Sequence, residues 1–161
     1  MLLRFCEWLQ NASWIAAINS SIIASVVVEL THYFRFFLLV GTSVMVDLRV
    51  LGLAGRRQNV TLLADQLFPL TWTGLGFSVL SGFILFAGDA TTFFPNPVFR
   101  AKVIVLSLAV VFAAVVQWNV HKRGQAPVIQ ISSKLVALLS VMLWIGVILA
   151  AVEIPHLTYV P

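Results

Sequence analysis

Four long apolar runs, separated by short polar or Gly- and Pro-containing stretches, dominate the pattern of the chain. The first extends from Ile22 to about Leu53, the second from about Leu67 to Ala87, the third from about Phe99 to Val120 and the fourth from about Ser133 to Val152. Each reaches the roughly 20 residues a helix needs to cross a bilayer, and the first exceeds it, so that helix must tilt or protrude. Asp47 and Arg49 mark its approach to an interface, and Gly52, Gly55, Arg56, Arg57, Gln58 and Asn59 make a polar connection. Residues 61–66 predict a short interfacial turn, which puts Pro69 in the first turn of the second span, where its missing N–H is tolerated. Gly88 through Pro97 predict an aromatic loop resting on the membrane surface. His121 through Pro127 end the third span and Pro155 the fourth.

Residues 1–20 carry a different pattern. Leu2, Phe5, Cys6, Leu9, Ile15 and Ala16 fall near one helical face, with Arg4, Glu7, Gln10 and Asn11 largely elsewhere. That predicts an amphipathic helix lying in the interface. The same polar residues interrupt any apolar core of a signal peptide, so no cleavage is expected. The predicted fold is all-α, a single transmembrane domain over residues 1–161: a four-helix bundle preceded by an interfacial helix.

Composition agrees with the pattern. The chain of 161 residues is 60% hydrophobic and 10% charged, with a mean hydropathy of +1.00, far more apolar than soluble domains. The net charge of +4 is topological rather than a nucleic-acid footprint, because the basic residues cluster at the ends of the apolar runs. Arg49, Arg56, Arg57, Lys122, Arg123 and Lys134 flank the two connections on one side, against Arg4, Arg100 and Lys102 on the other. Six against three predicts the first group inside, hence both termini outside, which in a bacterial inner membrane means the periplasm. The lone Cys6 excludes an internal disulfide and a Cys-rich metal site.

Against this apolar background the sequence Val28-Glu29-Leu30-Thr31-His32-Tyr33-Phe34-Arg35 is conspicuous. Glu29, His32 and Arg35, three residues apart, predict a slightly spiralling polar stripe inside a span, and ionisable groups there are costly unless paired or functional. A second Glu-x-x-His pattern, Glu153-Ile154-Pro155-His156, returns to the same end of the bundle. His121 belongs to the opposite end, roughly 31 Å along the third span from Arg100. It is therefore expected to be an interfacial or helix-end residue, not a partner of His32. Asp89, Arg100 and Lys102 lie at the level of His32. Asp47, with Arg49, is expected to anchor its end through an ion pair or a bond to the third and fourth helices.

Two chemistries suit the Glu29–His32 zone. Histidines from two helices, His32 and His156, can ligate a haem iron, with Arg35, Arg100 and Lys102 neutralising propionates. Alternatively Glu29, His32, Glu153 and His156 can hold non-haem metal, as paired Glu-x-x-His motifs do in di-metal bundles. The plain alternative is a satisfied polar cluster joining helices. Gly74, Ser78 and Gly82 form a small-residue ridge that admits either a neighbouring backbone or a flat cofactor. Phosphate-binding glycine loops, Gly-x-Ser-x-Gly, Cys-x-x-Cys and His-Glu-x-x-His do not occur, and no internal repeat supports alternating access.

Glu29-Leu30-Thr31-His32, Leu38-Leu39-Val40-Gly41, Asp47-Leu48-Arg49-Val50-Leu51-Gly52-Leu53, Ser81-Gly82-Phe83-Ile84-Leu85-Phe86 and Asn96-Pro97-Val98-Phe99-Arg100-Ala101-Lys102 together resemble an uncharacterised family of bacterial four-helix membrane proteins bearing a domain of unknown function. More loosely, the chain is similar to bacterial cytochrome b and copper-resistance-type membrane proteins with histidines in four-helix bundles. The resemblance implies the fold and favours haem b. The functional expectation is a haem b-binding electron-transfer protein or accessory subunit of a respiratory or photosynthetic complex. Its alternatives are a cofactor-free structural subunit and a non-haem metal protein. The expected partners are the lipid bilayer and a membrane complex or further copies of the chain, not nucleic acid.

Overall fold

The computed structural model describes residues 2–54, 59–123 and 131–158, the side chains of Arg123 and of residues 152–158 excepted. Arg56, Arg57 and Gly124 through Pro127, which the sequence analysis used, and the side chains of Arg123, Glu153 and His156 thus lie outside the described residues. Within them the chain is helical throughout: α1 (Leu2–Gln10), α2 (Ser13–Ser20), α3 (Ile22–Leu51), α4 (Val60–Gly88), α5 (Ala90–Phe93), α6 (Pro97–Arg123) and α7 (Ile131–Thr158). Four of these, α3, α4, α6 and α7, are long and apolar enough to span a membrane. The protein is a multi-pass membrane four-helix bundle.

The ends of the spans follow from local chemistry. Ser21 caps α3, accepting from the Ala24 N–H at 3.3 Å, and Gly52 ends it in the left-handed conformation at φ 79°, which costs a residue without Cβ nothing. The Gly52 N–H then bonds Arg49 O at 3.1 Å and the Leu53 N–H reaches back to Leu48 O at 2.9 Å, closing the helix by satisfying its last carbonyls. Asn96 caps α6, its side chain accepting from the Val98 and Phe99 N–H groups at 2.9 and 3.2 Å, with Pro97 at the first position, where proline is preorganised.

Two boundaries differ from the sequence expectation. The turn over residues 61–66 is the beginning of α4 itself, so Pro69 sits well inside that helix. Proline removes the bond that the Asp65 carbonyl would accept, and Asp65 is exposed, where that carbonyl can be solvated. Nor does Pro155 end α7, which continues to Thr158.

The spans form a ring in which α3 packs on α4 and α7, and α6 on α4 and α7; successive spans run in opposite directions. Two apolar clusters fill the centre. One joins Leu39, Val40, Ala109, Ala113, Trp144 and Val147, the other Val46, Val50, Ala64, Val116, Val120 and Ala137. Outward faces carry Val27, Phe34, Phe37, Leu80, Ile104, Trp118 and Leu149 in the open, the surface a bilayer covers.

The N-terminal segment forms two short helices rather than one, and only part of the expected face is buried. Cys6, Leu9 and Ile15 are covered, whereas Leu2 and Phe5 are exposed. Leu9 and Ile15 pack on Ala87 at the end of α4. Gln10 accepts from the Thr91 N–H and hydroxyl at 3.2 and 2.9 Å, and the Asn19 amide donates to Gly88 O at 3.1 Å. These bonds tie α1 and α2 to the connection through α5, while Leu2, Phe5, Trp8 and Trp14 remain exposed apolar groups, as an interfacial element requires.

Candidate functional site

The expected stripe of Glu29, His32 and Arg35 divides into three environments. Glu29 is exposed and accepts from the Tyr33 hydroxyl at 3.2 Å. The Arg35 guanidinium lies 4.6 Å from the centre of the Phe77 ring, a cation–π arrangement rather than an ion pair. Neither Glu29 nor Asp89 pairs with Arg35 among the described residues. A six-residue advance along a helix rotates the side chain by about 240°, so the three groups fan out around α3.

His32 turns inward to α4, and its environment fixes its chemistry. Nδ1 lies 3.2 Å from Ser78 O and 3.0 Å from Ser81 Oγ. A carbonyl only accepts, and the Ser81 hydroxyl already donates to Phe77 O at 2.7 Å, so both partners act as acceptors. The hydrogen of a neutral imidazole is thereby assigned to Nδ1, and Nε2 carries the lone pair. Among the described residues Nε2 has no hydrogen-bond partner. Histidine ligands of metals are oriented in this way, by donation of the other ring N–H to a carbonyl.

The ridge on α4 is used by α3 itself. A Cβ at Gly74 would meet Arg35 O and Leu39 N at 3.3 Å, and one at Gly82 would meet His32 Cε1 at 3.0 Å. Gly74 admits the α3 backbone and Gly82 admits the imidazole, so at these two positions the groove is occupied by protein. Nearby, the Thr71 hydroxyl donates to Thr42 Oγ1 at 2.8 Å, and Thr42 in turn donates to Leu38 O at 2.8 Å.

The cations expected around His32 diverge as well. Lys102 is partly buried and close enough to His32 for their charges to interact. Arg100 is exposed, with its guanidinium 6.0 Å from the Phe94 ring. His121 sits at the opposite end, 75% exposed and 3.8 Å from Asp65. Among the described residues no three His, Cys, Asp or Glu side chains converge on one metal position, and Glu29 is turned away from His32. Of the two histidines expected to act together, His32 is described and the side chain of His156 lies outside the described residues.

No family model, curated protein or solved structure matches the chain.

A second polar assembly, around the Asp47 expected to bond the third and fourth helices or an ion-pair partner, lies about 22 Å further along α3 at 1.5 Å per residue. Asp47 is 1% exposed and faces α6 and α7, not an ion-pair partner: none is found for it among the described residues. The Ser140 hydroxyl reaches its carboxyl, while Ser43 Oγ and Asp47 Oδ2 are buried without a hydrogen-bond partner. Gln117 completes the layer, accepting from Trp72 Nε1 at 2.8 Å. Trp144, one helical turn from Ser140, belongs to the first apolar cluster, its own Nε1 unpartnered. The four-residue spacing of Ser43 and Asp47, which puts both on one face of α3, was the available signal. Ser140, Gln117 and Trp144 gave none, being single polar or aromatic residues in apolar runs.

Proposed function

We propose that the chain is a haem b-binding electron-transfer protein of the bacterial inner membrane, acting alone or as an accessory subunit of a respiratory or photosynthetic complex. His32 would bind iron through Nε2, and His156 on α7 is the candidate for the opposite face. The observation that carries this reading is the hydrogen placed on Nδ1 by two acceptors, which leaves a basic nitrogen unused inside a membrane span. Lys102, whose charge reaches His32, would hold a propionate, with Arg35 and Arg100 at the same end of the bundle. Bound haem b supplies one-electron chemistry; the protein's part is to orient the imidazole and to exclude water from it. The resemblance to cytochrome b-like bundles points the same way. The distribution of Lys and Arg between the two connections and the two ends supports periplasmic termini.

A second reading, a cofactor-free structural subunit of a membrane complex, draws support from the α4 ridge, which α3 already fills at Gly74 and Gly82. A reduced-minus-oxidised spectrum of protein purified from its native membrane, with metal analysis, separates the readings. Haem b is expected, with His32→Ala changing or abolishing the spectrum and His121→Ala leaving it intact. A preparation without a Soret band defeats the proposal, as does a spectrum unchanged by His32→Ala.

A further inference from the structure

We propose that the end of the bundle opposite His32 binds an acidic phospholipid, its phosphate seated at Lys122 and its acyl chains lying along the outward face of α6. The site depends neither on haem nor on which side of the membrane this end faces.

The two ends of the bundle differ in charge. At the His32 end four cations, Arg4, Arg35, Arg100 and Lys102, stand against four acids, Glu7, Glu29, Asp89 and Glu153. At the other end six cations, Arg49, Arg56, Arg57, Lys122, Arg123 and Lys134, stand against Asp47 and Asp65. The whole net charge of +4 therefore belongs to this second end. Of its two acids, Asp47 is buried in the bundle at 1% exposure, and Asp65 lies 3.8 Å from His121. The charge left facing outward is basic, and clustered Lys and Arg beside a membrane attract acidic headgroups.

One face of α6 joins that charge to an apolar surface. Val111, Val115 and Trp118 are exposed at spacings of four and three residues, and Lys122 follows four further on, so all lie in one line. From Val111 to Lys122 the line is about 16 Å long at 1.5 Å per residue, about half of a hydrocarbon core of roughly 30 Å. Lys122 is exposed at its end, with Nζ 4.4 Å from the centre of the Trp118 ring. The ring holds one side of the ammonium, and N–H groups remain for phosphate oxygens. Lys134, also exposed, stands near the start of α7, which packs on α6. It lies about 9 Å beyond Ser140 and Lys122 about 7.5 Å beyond Gln117, so the two lysines share one depth. A free phosphate would meet the cations without using the apolar line beneath them, and a zwitterionic lipid carries its own cation beside the phosphate. An acidic phospholipid matches both parts of the surface.

The test uses the full chain in bilayers of phosphatidylcholine and phosphatidylglycerol, with brominated acyl chains, which quench tryptophan on contact, placed on one lipid or the other. At equal mole fraction the brominated phosphatidylglycerol should quench more, and the excess should fade at about 1 M salt, which screens charge beyond about 3 Å. Lys122→Gln and Lys134→Gln should each lower the preference by up to about fivefold, the effect of one cation near an acidic surface. Trp118→Phe should remove the excess with the indole that reports it, and Arg4→Gln, at the balanced end, should leave it unchanged. Equal quenching by the two lipids overturns the proposal, as does an excess that survives Lys122→Gln or Trp118→Phe, or one that Arg4→Gln abolishes. Loss of the preference on adding inorganic phosphate at constant ionic strength would mean a site for the free ion, and would overturn it too.

Discussion

His32 and Asp47 sit fifteen residues apart on one helix and answer the cost of a polar group in the membrane by opposite means. His32 faces a neighbour built to receive it, with Gly82 making room for the ring and Ser78 and Ser81 accepting its N–H. Asp47 faces neighbours that leave one of its oxygens bare, between two apolar clusters that shield it. The first arrangement spends its polar atoms on helix packing and keeps one nitrogen in reserve. The second leaves two oxygens, Ser43 Oγ and Asp47 Oδ2, without a partner and relies on packing for its enclosure.

The largest expected effect is on the apolar cluster next to the Asp47 layer. Trp144 is fully buried against Leu39, Val40, Ala109, Ala113 and Val147, one helical turn from Ser140. Trp144→Ala should cost about 3–5 kcal/mol, because in lipid the packing contacts of a large side chain are not replaced when it is removed. Unfolding in mixtures of dodecyl sulfate and mild detergent, followed by circular dichroism, measures this. Hydrogen exchange should quicken around residues 43–50 and 113–120 and hold steady at the α3–α4 seam near His32. Equal loosening at both ends would mean that the two regions are one cooperative unit and that the contrast drawn between them is local only.

A smaller effect probes the His32 side. A glycine in a helix interior is normally improved by alanine, by up to about 1 kcal/mol. Gly76, with open space where its Cβ would be, should follow that rule. At Gly82 the new methyl meets the imidazole at 3.0 Å, so Gly82→Ala should destabilise by about 1 kcal/mol and displace His32 from Ser78 and Ser81. The opposite signs at two glycines six residues apart on one helix are the readout. A stabilised Gly82→Ala protein would show that the ring has freedom to move.

How much of this was legible from the chain depends on what each feature requires. The four spans, their number and their approximate limits follow from runs of apolar residues that no other structure can bury. Glu29, His32 and Arg35 were equally visible as polar residues in such a run, but their divergence was not: whether Arg35 meets a carboxylate or the Phe77 ring depends on which face of α3 is turned to α4. Gly74, Ser78 and Gly82 announced a close approach, and only the register of the two helices shows that His32 is what approaches Gly82. For Asp47 the sequence leaves two anchors open, an ion pair or a bond to the third and fourth helices, and the structure turns it towards those helices. Two residues apart on a helix, Asp47 and Arg49 point to different sides, and Asp47 belongs with Ser140, ninety-three positions later. Pro69 and residues 61–66 misplaced the start of α4 because proline ordinarily marks a first turn, whereas here the carbonyl it strands is at an exposed position.

The smallest expected effect bears hardest on the meaning of His32. Thr71 donates to Thr42 across the same seam at 2.8 Å, and valine has nearly the same shape without the hydroxyl. Hydrogen bonds between membrane helices average only about 0.6 kcal/mol, because the separated helices also find partners for their polar groups. Thr71→Val should therefore destabilise by about that amount in the same detergent titration. If it does, polar contacts on this seam are too weak to account for an imidazole placed within a span, and the free Nε2 of His32 keeps its significance as a ligand atom. A cost of 2 kcal/mol or more would reverse the inference: the α3–α4 pair would owe its assembly to such bonds, and His32, like Thr42, would be a fastening between helices.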